Sequence, residues 1–488
     1  MGSLLPTRGL GTGRETLLAS GGMGAGKIAG RTIGHTFDLA SHWVAGTTIM
    51  NLVGWFGIGP TDPSGAGSDP ESQSWSQPEG TTWNSSNPTA YPTNPYASHD
   101  PDECANYEGN QHRDIASKLR PLAGIYSSSG RDAESVARLN LHLDMLSTAT
   151  DPRARVDVIS VLVDYLGNTS FALGASQDPP YKDAEDIKYR HYVAMLAAAD
   201  ARGLTSCIVP QYIPNLWATY HSDISPHSAK VAAMTADLVN YMTIADGSPA
   251  AFRVAGKLVL DLWPNAISGL TPTEYASILQ DARTTLGFDF YTICYTKSAD
   301  KMAFADAIQC WISVDVYNSA AGAGVTKAYN WQVAKMATVI AALGAHPGRV
   351  ILNTMSPGFS DWTKQWGDGV EREIPRNKDL ILGQAAGSWA GAGGHYLATW
   401  DDWNEGSVFE PDALDLGNPL RWITEALATL KSETYVETET QTLINLWVNY
   451  GVARGCPASE LGSYRIQEPV ASNIEAGGIV ASGAVPYS

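Results

Sequence analysis

From about residue 113 to residue 431, short apolar runs alternate with stretches whose apolar residues recur at helical spacing. The runs at 122–127, 156–165, 207–212, 257–263, 288–295, 307–317, 349–355 and 395–400 are rich in Val, Ile, Leu and aromatic residues. Most lack polar alternation, which is the texture of strands buried on both faces. Between them, 133–146, 189–202, 229–242, 273–286, 331–343, 377–389 and 419–430 read as helices, with Val136, Leu139, Leu143 and Leu146 forming one such stripe. This alternation predicts a (β/α)8 barrel, a fold whose functional groups gather at the C-terminal ends of its strands.

The flanks have a different texture. Residues 1–112 are rich in Gly, Thr, Pro and Ser and are expected to be a loop-rich anchoring or assembly segment before a barrel spanning 113–431. Within them, 39–61 carries no Asp, Glu, Lys or Arg. Its many Gly and Thr residues make it a poor membrane span, so it reads as buried packing or an assembly surface. Gly21 to Lys27 fits GxxxxGK, yet Ile28 stands where a magnesium-binding Ser or Thr belongs and no apolar strand precedes it. Nucleotide binding is therefore not expected. Residues 432–488 read as one helix and a polar tail, suited to docking. Such flanks lead us to expect a homo-oligomer or a subunit docked in a larger assembly.

Charge narrows the partners. The 488 residues include 50 acidic and 32 basic ones, for a net charge of −18. A body that acidic is a poor partner for nucleic acid or anionic membranes, and it favours a neutral substrate over a polyanionic one. The five cysteines are scattered without a CxxC pair, and His221 and His227 lack an evident carboxylate partner. Neither a metal nor another cofactor is expected. The N-terminus lacks the basic start and apolar core of a secretory signal, so an extracellular or virion-associated location implies another route or a signal already removed.

The densest chemistry lies at 399–411, which reads TWDDWNEGSVFEP after the run ending the eighth predicted strand. Asp401, Asp402 and Glu405 fall close together, and two carboxyls in one cavity can divide the roles of proton donor and acceptor. Trp400 and Trp403 offer faces on which sugar rings stack, and Asn404 can bond a hydroxyl. Polar and aromatic residues at other predicted strand ends extend this candidate cleft: Asp164, Tyr212, Asp261, Trp263, Tyr295, Asp315 and Tyr317, with Trp362 on its rim. An acidic, aromatic cleft of this kind suits a polysaccharide or other glycan.

The same segment resembles the end of the last barrel strand in glycoside hydrolase family 99 and the family 99-like proteins linked to polysaccharide biosynthesis loci, through the pattern W-[ND]-[DE]-W-x-E-G-x-x-x-E-P. FRVAGKLVLDL at 252–262 and MSPGFSD at 355–361 are similar to two further landmarks of that family, in the same order. A looser likeness runs to the family 71 alpha-1,3-glucanases. The resemblance implies a glycosidase in which Asp402 is the base acting on the sugar 2-hydroxyl and Glu405 the acid/base. Asp402 is one methylene shorter than the family 99 glutamate and matches the family 71 pattern better there, so retaining and inverting outcomes both stay open. Inverting pairs sit roughly 6.5–9.5 Å apart and nucleophilic retaining pairs roughly 5 Å. A barrel that kept the fold and binds glycan without turnover is the alternative.

Overall fold

The computed structural model describes residues 33–53, 133–146, 155–163, 179–214, 227–264, 270–296, 298–360, 372–402, 407–411 and 417–453. Within them, eight parallel strands close into a barrel: β1 (Thr47–Leu52), β2 (Val158–Val163), β3 (Ile208–Tyr212), β4 (Lys257–Leu262), β5 (Phe290–Tyr295), β6 (Ala307–Gln309), β7 (Val350–Met355) and β8 (Gly394–Leu397). Closure runs through β1 and β8, where Thr47 pairs with Gly394 and Met50 with Leu397. On the far side, Gln211 of β3 pairs with Asp261 of β4.

Eight helices of nine residues or more are described: α1 (Ala133–Leu143), α2 (Pro179–Ala201), α3 (His227–Asp246), α4 (Pro272–Leu286), α5 (Gly324–Leu343), α6 (Lys378–Ala386), α7 (Asn418–Leu430) and α8 (Glu437–Ala453). Successive side chains of a strand point to opposite faces, so the barrel sorts its apolar residues into two clusters. Ile49, Val158, Val209, Val259, Ile293 and Leu352 fill the interior. Met50, Ile159, Ile208, Leu260, Ile308 and Ile351 face outward to the helices.

Strands two to eight and the helices between them overlap the predicted runs, with two helices starting well before them, at Pro179 rather than 189 and at Gly324 rather than 331. Two expectations need correction. The first strand is Thr47–Leu52, inside the segment read as an anchoring extension, and 122–127 lies outside the described residues. All six residues of β1 are buried, which explains the missing charges: a parallel barrel strand is covered on both faces. The sixth strand is also shorter than its run suggests, ending at Gln309, and Val314–Ser319 forms a separate short helix.

The chain before β1 seals the floor of the barrel. Leu39 is fully buried in the interior cluster, and the Tyr291 hydroxyl donates to Asp38 at 2.7 Å. Gly348 (φ +79°) sits where a Cβ would lie 1.7 Å from the Phe37 carbonyl oxygen, so no side chain fits beneath that turn. His35 bridges Asp289 at 2.7 Å and Asp306 at 2.9 Å, beside Arg283 and near Lys257. Burial opposes charge on His35, and the two carboxylates overcome it, raising its pKa above that of ordinary imidazole.

A pKa raised by folding contributes stability that is fully present below the unfolded value and is lost as pH rises through the folded one. The urea midpoint should therefore fall as pH rises above the ordinary imidazole value of about 6.5, and His35→Gln should lessen that fall. Equal pH profiles for the two proteins would contradict the arrangement.

Candidate active site

The C-terminal mouth of the barrel has an aromatic floor. Trp263 follows β4, Tyr295 ends β5 and Trp311 follows β6. The Trp263 ring lies 4.7 Å from Tyr295 and 4.5 Å from Trp311, between centroids. Trp263 and Tyr295 are half-buried, so each keeps surface for a ligand, whereas Trp311 is largely covered. Val53, Leu162 and Ile213 pack beside Trp263 and complete this layer.

One layer deeper the interior is polar. Asp261 Oδ2 accepts from Tyr396 Oη at 2.6 Å, Ser160 Oγ at 2.7 Å and Gln211 Nε2 at 3.1 Å. Asn51 donates in turn to Gln211 at 2.8 Å. Each of these five side chains is at least 99% buried. Burial pushes the Asp261 carboxyl up to about 6, against the pull of its three donors. Trp311 lies 6.2 Å from the Tyr396 ring, which joins the polar layer to the aromatic one.

The segment at the end of β8 forms a two-stranded hairpin, β9 (Asp401–Asp402) against β10 (Ser407–Val408). It is tied to the barrel wall on one side, since the Trp400 amide donates to the Asn51 carbonyl at 2.7 Å and Val53 N–H donates to Asp401 Oδ1 at 2.7 Å. On the other side α1 supplies a cation. Arg138 Nη2 lies 3.5 Å from Asp401 Oδ2 and 3.1 Å from Glu410 Oε2, and all three side chains are fully buried. One guanidinium thus reaches a carboxylate before the hairpin loop and another just after it.

His142 brings a ligand-type atom within 4.8 Å of Asp401 and Glu410, a spacing that could hold a metal ion. The charge there is already supplied by Arg138, which touches both carboxylates. Burial, Arg138 and then His191 push the His142 pKa well below that of ordinary imidazole, and His191 falls to about 3. Both imidazoles are therefore neutral, with His142 5.2 Å from the Trp447 ring.

The sequence-predicted residues divide accordingly. Trp263 and Tyr295 come together at the mouth, and Asp261 lies buried in the polar layer beneath them. Trp400 does not offer a stacking face: it is 1% exposed and packs 5.7 Å from Trp447 of α8, because the chain turns it into the helix layer. Asp401 is committed to Val53 and Arg138 rather than to an open cleft. Tyr212 points outward, and its hydroxyl donates to Asp237 of α3 at 2.9 Å. Asp315 is exposed on the short helix, and Tyr317 is buried edge-on to Trp331. Asp402 is described by its backbone alone, while Asp164, Trp362, Trp403, Asn404 and Glu405 lie outside the described residues.

Three residues of the region escaped the sequence reading. Trp311 was hidden in a run read as continuous strand, and Tyr396 passed as an ordinary apolar strand residue. Arg138 had a signal: it interrupts an apolar stripe next to Leu139.

No protein-family model matches this chain, and no curated protein matches it. Solved structures similar to it include the GH99 endo-alpha-mannosidase of Bacteroides thetaiotaomicron, at 16% identity and TM-score 0.47 over 86% of this chain and 98% of that one. The same enzyme in complex with BIS-TRIS-propane is similar at 15% identity and TM-score 0.46, over 80% and 99%. A glycoside hydrolase-like protein is similar at 13% identity and TM-score 0.43, over 65% and 89%.

Removing one partner of a buried ion pair typically costs about 3–5 kcal/mol, against about 0–1 kcal/mol at the surface. Arg138→Met should lower the urea-unfolding free energy by about that larger amount, and Arg202→Met, which breaks the partly exposed Arg202–Asp144 pair, by less than about 1 kcal/mol. Equal effects would show that the guanidinium does not anchor the hairpin.

Proposed function

We propose that this chain is a glycoside hydrolase, endo-acting on a neutral polysaccharide or surface glycan, with Asp402 and Glu405 as its working carboxylates. The observation that carries the reading is the hairpin. Of the four carboxylates in 399–411, Asp401 and Glu410 are held by Arg138, which leaves Asp402 and Glu405 for chemistry. Glu405 belongs to the four residues between Asp402 and Ser407 and follows Asp402 by three positions in the sequence.

In this reading a sugar ring lies on Trp263 and Tyr295. One carboxyl protonates the departing glycosidic oxygen while the other accepts a proton, from water in an inverting reaction or from the sugar 2-hydroxyl in a retaining one. Asp261 acts from below by fixing Tyr396 and the polar layer. The net charge of −18 supports a neutral glycan, since an anionic chain would be repelled. Residues outside the barrel dock the enzyme in a virion or other assembly.

A second reading, a glycan-binding subunit without turnover, is favoured by one observation: Asp402 stands where the family 99 pattern has a longer glutamate. A displacement of that size is enough to impair catalysis.

The test is reducing-end release from a panel of alpha-mannans, alpha-glucans and bacterial surface polysaccharides. Release by the wild type should fall by about 10²-fold or more in Glu405→Gln and in Asp402→Asn. Binding without release by the wild type would favour the recognition subunit, and release untouched by either substitution would move the chemistry elsewhere.

A further inference from the structure

A cavity of about 910 Å³ lies at the end of the barrel opposite the mouth. Thr47, Asp157 and Gly394 line it, at the N-terminal ends of β1, β2 and β8. β1 is six residues long, so roughly 20 Å of strand separates this cavity from the mouth. The end of α6 forms one wall and the end of α7, with Lys431, another. Exposed Val44, Ala386 and Ala390 stand at its edge. Its volume falls within the roughly 300–1,000 Å³ of small-molecule sites.

The lining combines open hydrogen-bonding groups with matched charges. Ile49 and Tyr396 pair and both point into the barrel, so His395 points outward, where it lines the cavity. It is 6% exposed, and its Nδ1 has no hydrogen-bond partner, an uncommon state for a buried nitrogen. Burial, and then Lys431, hold its pKa down at about 4, so the ring is neutral. Across β1, Lys431 Nζ donates to the Arg155 carbonyl at 3.0 Å and to Asp157 Oδ2 at 2.8 Å. An ammonium has three donors, and among the described residues the third has no acceptor. The Thr48 amide also donates to Asp157 Oδ2, at 2.7 Å, which leaves Oδ1 open among the same residues. The fixed charges are spent on each other, Lys431 on Asp157 and Arg155 on Glu433 at 3.0 Å. Half-buried Trp389 adds an indole to the wall, and Asn353 pins its backbone by donating to the carbonyl at 3.1 Å and accepting from the amide at 3.0 Å.

We infer that this cavity is a second, non-catalytic binding site for a neutral polyhydroxylated ligand, a sugar unit held by Lys431, Asp157 and His395 with its ring against Trp389. The choice of a sugar among polyols rests on the glycosidase reading; the choice of a neutral polyol rests on the cavity alone. An ion of either sign would meet charges that are already paired, and a wholly apolar ligand would cover the open groups without satisfying them. A hydroxyl both donates and accepts, so two neighbouring hydroxyls can take the Lys431 N–H and reach Asp157 Oδ1 together. Set at the far end of the barrel, the site holds a glycan away from the carboxylates, so it tethers the enzyme to its substrate without competing for the mouth.

The test is to soak crystals of the full chain separately in methyl α-glucoside, methyl α-mannoside, sodium sulfate and methylammonium chloride. A glycoside should occupy the cavity within hydrogen-bond distance of Lys431 and Asp157, and neither ion should. Ala386→Trp, at an exposed position on the cavity edge, sets an indole in the space and should remove that sugar without lowering the melting temperature. In solution, the saturation-transfer NMR signal of the same glycoside should fall in Ala386→Trp. The mouth serves as an internal control: sugar in this cavity with none at the mouth supports this site even as it counts against the glycosidase reading. Sugar at the mouth alone, water alone, either ion or a segment of the chain itself in the cavity, or an NMR signal unchanged by Ala386→Trp, overturns the proposal.

Discussion

Arg138 joins α1 to the two sides of the hairpin that ends the barrel, and burying three charges is tolerable only while they stay together. Much else follows from that constraint. Asp401 is fixed by Arg138 and by the Val53 amide, so the end of β8 is tied to the end of β1, where the barrel closes. Trp400 is forced into the helix layer against Trp447, which brings α8 onto α1. The paired strands β9 and β10 therefore rest on a base of charge, indole and backbone.

Beneath the mouth the barrel gives up apolar packing for a ladder of Asn51, Gln211, Asp261, Ser160 and Tyr396. The links run from side chain to side chain and order the layer, with Asp261 Oδ2 taking all three donors. The raised pKa of Asp261 records what that burial costs. The Tyr396 hydroxyl, held between Gln211 and Asp261, also fixes a ring that faces Trp311. Polar layer and aromatic floor thus form one support for whatever the mouth binds, and the N-terminal segment closes the opposite end through Leu39 and His35.

The barrel was legible in the sequence because parallel strands buried on both faces leave dense apolar runs, and seven of these eight strands do. β1 hid because Thr47, Thr48 and Asn51 dilute its apolar content among glycines, although its lack of charge was visible. Site residues were legible where geometry follows from strand position alone, as for Asp261, Trp263 and Tyr295. They were misread where a one-residue change of phase decides between mouth and helix layer: Tyr212 and Trp400 look like cleft aromatics until the register turns them outward. Arg138 could not be assigned, because its partners lie more than 260 residues away in sequence.

The claim on which the account rests is that the aromatic floor and the eighth-strand hairpin form a single site. Its most direct test is the crystal structure of Glu405→Gln soaked with an oligosaccharide from the panel that the wild type cleaves or binds. The account predicts a sugar ring on Trp263 and Tyr295, with the glycosidic oxygen beside residues 402 and 405. A glycan bound away from that floor, or on it but out of reach of the hairpin, would contradict it.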